Sequence, residues 1–168
     1  MSVERFWELV DAARASVEDP SDGDQVGARA RQLLEELPLD EVAALARAEW
    51  ELRARSYRVD LWGAAYLING GCSDDGFEYF RGWLMAQGRE VFERAVADPD
   101  TLAGVPGVGA GQDLEAEDMF GVANGVYWER AGEAPPDTVR YPKLGDFWDF
   151  DDDDEVRRRL PRLHATHR

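Results

Sequence analysis

At the start of the chain Val3, Phe6, Val10, Ala13 and Val17 recur three or four residues apart, with Glu4, Arg5, Glu8, Asp11 and Arg14 largely between them. That spacing draws one apolar face along a helix, with Ser2 as N-cap and Asp19-Pro20-Ser21-Asp22-Gly23 as its stop. A second helix is predicted from Gln25 to Leu37, burying Val26, Ala30, Leu33, Leu34 and Leu37 and ended by Pro38. Asp40 is placed to cap a third, whose inward positions are Val42, Leu45, Ala46, Trp50 and the stem of Arg53. Leu61 to Ile68 is apolar almost throughout. Its alanines and the Asn69-Gly70-Gly71 that follows favour a helix closed by a left-handed glycine over a buried strand.

Ser73 to Ala97 reads as one long amphipathic helix, with a stripe of Phe77, Phe80, Leu84, Val91 and Ala95 widened by Trp83 and Phe92. Asp75 and Glu78 fit an acidic capping box. Glu78 with Arg81, and Glu90 with Arg94, stand at helical pairing distance. Gly82 and Gly88 each cost about 1 kcal/mol relative to Ala inside a helix, which points to a neighbouring backbone packed closely at both. Asp98-Pro99-Asp100 is the stop. Residues 103 to 113 are glycine-rich and read as a flexible loop. Another helix is predicted from Leu114 to Ala131, before Ala134-Pro135-Pro136-Asp137. Asp151 to Arg159 reads as a short terminal helix, acids first and arginines last, as the helix dipole prefers.

These elements predict an all-α fold: a single compact helical domain of five or six helices over residues 1–132, with a loop-rich, acidic C-terminal extension over 133–168 that packs on it or trails from it. The Leu61–Ile68 helix is expected to be central and packed against the Ser73–Ala97 helix, with Gly70-Gly71 setting their crossing. A chain of 168 residues can bury roughly 70% of its unfolded surface, so it needs no metal or disulfide to hold together.

Charge and composition narrow the function. The formal net charge is −16, from 35 acids against 19 bases, and Lys143 is the only lysine. Duplex DNA and anionic lipid are poor partners for such a surface, because phosphate binding is driven by Lys and Arg. A basic protein or a cationic small molecule suits it better. The single cysteine, Cys72, precludes an internal disulfide and fits a reducing cytoplasm. No secretory signal is visible at the N-terminus, and no stretch approaches the roughly 18 apolar residues of a membrane span. A cytoplasmic protein is therefore expected.

The run from Trp62 to Leu84, Trp-Gly-Ala-Ala-Tyr-Leu-Ile-Asn-Gly-Gly-Cys-Ser-Asp-Asp-Gly-Phe-Glu-Tyr-Phe-Arg-Gly-Trp-Leu, resembles the signature of the bacterial family named domain of unknown function 4240. Phe6-Trp7-Glu8-Leu9-Val10 resembles the family's opening helix. Gly88-Arg89-Glu90-Val91-Phe92-Glu93 with Ala97-Asp98-Pro99-Asp100 resembles its continuation. The resemblance covers residues 1 to about 130; the glycine-rich stretch and the terminal segment depart from it. It implies no activity and no catalytic residues.

Within that run the turn Asn69–Gly76 gathers the candidate chemistry. Cys72, Ser73, Asp74 and Asp75 stand on Gly70-Gly71 at a helix N-terminus, where free N–H groups can lower a thiol's pKa. The plain alternative is a tight turn with helix caps and a buried cysteine. Cys72 as nucleophile lacks a histidine partner, since His164 and His167 lie near the C-terminus, where a frayed end is expected. Arg81, Trp83 and Arg89 with Trp62 could make a recognition face, although exposed arginines and buried tryptophans also satisfy an amphipathic helix. The glycine-rich stretch lacks the Gly-Lys-Ser/Thr of a phosphate loop. The acidic run Asp149–Glu155 lacks the spacing of a calcium loop. No cofactor and no metal are expected. Two functions follow: a non-catalytic interaction or regulatory protein holding a basic partner, or a small enzyme or small-molecule binder with Asp74 and Asp75 as acid/base pair and Arg81 or Arg89 orienting the substrate.

Overall fold

The computed structural model describes residues 2–109, 113–136 and 139–168. Ala110, Gly111 and Gln112 of the predicted loop, and Asp137 of the predicted break, lie outside the described residues. The α-helices are α1 (Ser2–Ala15), α2 (Gly23–Glu35), α3 (Leu39–Arg55), α4 (Val59–Asn69), α5 (Asp74–Ala86) and α6 (Arg89–Ala97), then α7 (Glu117–Phe120), α8 (Val122–Ala131), α9 (Asp153–Arg159) and α10 (Pro161–His167). A 3₁₀ segment, Pro99–Gly104, joins α6 to the glycine-rich stretch. Strands are absent among the described residues, as the all-α expectation has it.

Among the described residues ten α-helices and a 3₁₀ segment stand where five or six helices are predicted, partly for local reasons. The long helix from Ser73 breaks at Gly88, whose φ of 99° and ψ of 171° lie where L side chains do not go. Gly88 is therefore a hinge between α5 and α6 and not a point of close backbone packing. Leu114–Ala116 is not helical, because its backbone is held elsewhere: the Leu114 N–H donates to Asn69 Oδ1 (2.9 Å) and the Ala116 N–H to the Tyr79 carbonyl (2.9 Å). Gly121 then separates α7 from α8.

Caps differ from the predicted ones as well. Ser73, not an Asp75–Glu78 box, caps α5, its Oγ accepting from the Gly76 N–H at 3.1 Å. Pro38 precedes α3 and leaves Asp40 inside its first turn. Gly70 closes α4 with φ 70°, the left-handed glycine its sequence calls for.

α1 packs on α2 and α3, α8 on α3 and α2, and α7 on α5 and α2. Phe6, Val10, Leu34, Leu52, Phe80 and Met119 are buried between them. α4 meets α5 through Trp62, stacked on Phe77 at 4.7 Å between ring centres. Its larger neighbours, however, are α10 and the 3₁₀ segment. α10 thus packs on α4. Val156, Leu160 and Leu163 are buried there, and the Asp100 carboxylate accepts from the N–H groups of Arg162 (3.1 Å) and Leu163 (2.9 Å), capping α10 from another element. The predicted frayed end is instead this helix, with His164 Nε2 against Asp153 Oδ1 at 2.8 Å.

Candidate functional site

The glycine turn after α4 is held from below. Trp62 Nε1 donates to the Cys72 carbonyl at 2.9 Å, and the Gly71 N–H to the Tyr66 carbonyl at 2.8 Å. Asn69 grips Leu114 through both ends of its amide. Gly70, Cys72, Ser73, Asp74 and Asp75 follow one another around this turn, with Ser73, Asp74 and Asp75 exposed. Burial, reinforced by Glu115, pushes the Cys72 thiol up to about 12. A thiol in that state is protonated near neutrality and a poor nucleophile. Asp74 and Asp75 line none of the cavities described below.

The other candidates separate from the turn. Trp62 and Trp83 are buried. Arg89 is exposed on α6 and pairs with Glu93 at 2.9 Å. Arg81 is not one of the exposed arginines of an amphipathic helix. It is 1% exposed and forms no ion pair with Glu78. Its Nε donates to Ser56 Oγ, and its Nη2 to the Arg53 carbonyl and the Tyr141 hydroxyl, each at 3.1 Å.

What the sequence reading missed is an acidic face assembled by close packing. The backbone of Ala116–Phe120 wedges between α2 and α5 at three glycines. A Cβ at Gly82 would stand 2.2 Å from the Ala116 carbonyl oxygen, and one at Gly23 would stand 2.7 Å from Ala116 Cβ; Gly27 faces Met119. Only glycine admits this approach. It sets Glu115, Glu117 and Asp118 between the first turn of α2, with Asp22 and Asp24, and the start of α5, with Asp74, Asp75 and Glu78. None of these carboxylates forms an ion pair among the described residues.

Their mutual field registers on two groups. The Asp24 pKa is raised from its ordinary value by partial burial and by Asp22, Asp118 and Glu117. The Tyr79 phenol is raised chiefly by Glu117, with burial, Asp75 and Glu78 adding. Beside them an open groove of about 580 Å³ runs between α2 and the α7–α8 junction, with Gly27, Gln32 and Val122 in its walls, Glu117 and Asp118 among its lining residues, and Arg31, paired with Glu35 and Glu129, at its side. The signal for this face was present in the glycines at positions 23, 27 and 82, but periodicity alone does not say which backbone they admit.

The acids of the C-terminal run behave differently. Asp152 caps α9, and Asp153, Asp154 and Glu155 pair with Arg157, Arg158 and Arg159 of the same helix. Their charge is largely answered locally. Among the described residues, no group of three or more His, Cys, Asp or Glu side chains is arranged to hold a metal ion. No helix among them is long and apolar enough to cross a membrane.

Fold and face together define a small helical domain with a concentrated acidic surface that is unpaired among the described residues. The chain belongs to the family described as "Protein of unknown function (DUF4240)", whose model matches residues 1–129. No curated protein and no solved structure matches it.

Proposed function

We propose that this chain is a non-catalytic interaction protein of the bacterial cytoplasm that holds a basic partner on the face built from the first turns of α2, α5 and α7. The observation that carries the reading is the absence of any ion pair, among the described residues, for Asp22, Asp24, Asp75, Glu78, Glu117 and Asp118. Elsewhere in the fold Glu35, Glu51, Glu93 and Glu155 are matched by arginines one helical turn away. Carboxylates clustered without counter-charge repel one another, and an incoming Lys or Arg relieves that repulsion and speeds encounter. The groove between α2 and the α7–α8 junction suits an aliphatic stem whose cationic head meets Glu117 and Asp118.

Asp74 and Asp75 join this face as surface charge. Acid–base catalysis asks a carboxylate pair to reach a substrate held in place, and neither of these two lines the groove beside the face. The experiment is retention on an immobilised arginine-rich peptide. Asp75→Lys/Glu117→Lys/Asp118→Lys is expected to lose retention, while Glu8→Lys/Asp11→Lys/Glu90→Lys, which changes net charge equally, keeps most of it. Wild-type retention is expected to vanish by about 0.5 M salt, where the screening length is near 4 Å. Equal losses in the two triple variants would show only a response to net charge and sink the proposal.

A further inference from the structure

Arg81 on α5 and Arg53 on α3 both lie in the stretch that the family's model matches, and neither forms an ion pair among the described residues. A buried guanidinium without a carboxylate is costly unless its donors are satisfied, and burial is the chief influence lowering the Arg81 pKa. Its acceptors are all neutral: a serine hydroxyl, a carbonyl and the Tyr141 phenol. Arg53 Nε donates to the same phenol oxygen at 3.1 Å. One neutral oxygen therefore receives a hydrogen bond from each of two cations. The buried carboxylate of Glu49 acts on Arg53 electrostatically, but both its oxygens are engaged by Ala123 and Asn124.

The surroundings are aromatic. Arg53 lies over Trp50 and Phe120 at 4.1 and 4.0 Å, and Arg81 over Phe77 and Phe120 at 4.7 and 4.8 Å. The Tyr141 ring fills the slot between Trp50 (5.7 Å) and Tyr57 (4.8 Å). Tyr141 comes from beyond the residues that the family's model matches. An open cavity of about 480 Å³, lined by Tyr57, Arg58, Pro142 and Lys143 among others, shares Tyr57 with this slot.

We propose that Arg53 and Arg81 form a binding site for the carboxylate or phosphate of a small aromatic ligand, and that Tyr141 occupies it as the chain's own stand-in. The phenol oxygen marks where the ligand's oxyanion sits, and the tyrosine ring marks where its aromatic body lies. An oxyanion there makes charge-assisted bonds with both guanidiniums, which are stronger than bonds to a neutral phenol. The site is independent of the acidic face.

The test uses benzoate and phenyl phosphate, with neutral benzamide as control, titrated calorimetrically into wild type and Tyr141→Gly. The glycine variant is expected to bind at least one oxyanion about tenfold or more tighter than benzamide, and about tenfold or more tighter than wild type does, because the tethered tyrosine competes. Adding the partly buried Arg53→Gln to Tyr141→Gly is expected to remove that preference, bringing oxyanion and benzamide affinities together. In wild type, saturating oxyanion is expected to raise hydrogen exchange across residues 139–146. Equal affinity for oxyanions and benzamide in a folded Tyr141→Gly, or binding of no probe at all, overturns the proposal. Should that variant not fold, unchanged exchange in wild type at the highest soluble oxyanion concentration overturns it equally.

Discussion

Glu49 is fully buried on α3, and its carboxylate accepts from the backbone N–H groups of Ala123 (3.0 Å) and Asn124 (3.1 Å) and from the Asn124 side chain. It thereby caps α8 from a neighbouring helix. Burial raises its pKa from 4.5 to about 7, against the opposing pull of those hydrogen bonds and Arg53. The folded protein therefore holds the proton more tightly than the unfolded chain does. Stability attributable to this group is fully kept below pH 4.5, falls as pH rises toward 7, and is lower by about 3 kcal/mol above that. Wild type should lose stability across this window by urea denaturation, while Glu49→Gln should be flatter. Parallel curves would remove Glu49 as the cause. Arg81 teaches the complementary lesson at this scale. In sequence it stands three residues from Glu78, as a surface pair would; in space its helix face turns into the aromatic cluster of Phe77, Phe120 and Tyr141. A charge at helical spacing does not reveal which side of the helix another element will cover.

Among the elements, α5 and the α7 segment meet most intimately, and Gly82 governs how closely. Gly82→Ala should destabilise by at least about 2 kcal/mol, because its methyl group would stand 2.2 Å from one backbone oxygen and 2.9 Å from the Phe120 nitrogen. Gly76→Ala, on the same helix, meets Ser73 Oγ and Cys72 Sγ at ordinary distances of 3.4 and 3.6 Å. It should stabilise by about 0.5 kcal/mol through helix propensity. Both changes are read from denaturant midpoints, and a neutral Gly82→Ala would contradict the wedge. Two glycines flagged in one helix pattern thus have different causes. Gly82 admits a neighbour, whereas Gly88 turns the chain through a positive φ that ends one helix and begins the next. A stripe of apolar residues runs across that turn without a change of period, which is why the sequence read as one helix.

Across the whole molecule, α10 is bound to the 3₁₀ segment by Asp100. Asp100→Ala leaves the N–H groups of Arg162 and Leu163 without their acceptor, at a cost of about 2 kcal/mol. Hydrogen exchange should rise across α10 and α9 and stay unchanged in α1 to α3; a uniform rise would mean that the terminal helices are not a separable unit. The all-α class, the starts of α2 and α5 near their predicted places, the glycine closing α4 and the family resemblance were legible in the sequence, because each rests on contacts within a few residues. Periodicity, caps and turn glycines carry that information locally. The acidic face, the burial of Arg81 and the docking of α10 were decided only by tertiary structure. Each joins residues far apart in the chain, Asp24 with Asp118, Arg81 with Tyr141 and Asp100 with Leu163, and no local pattern records which distant backbone or side chain will complete a contact.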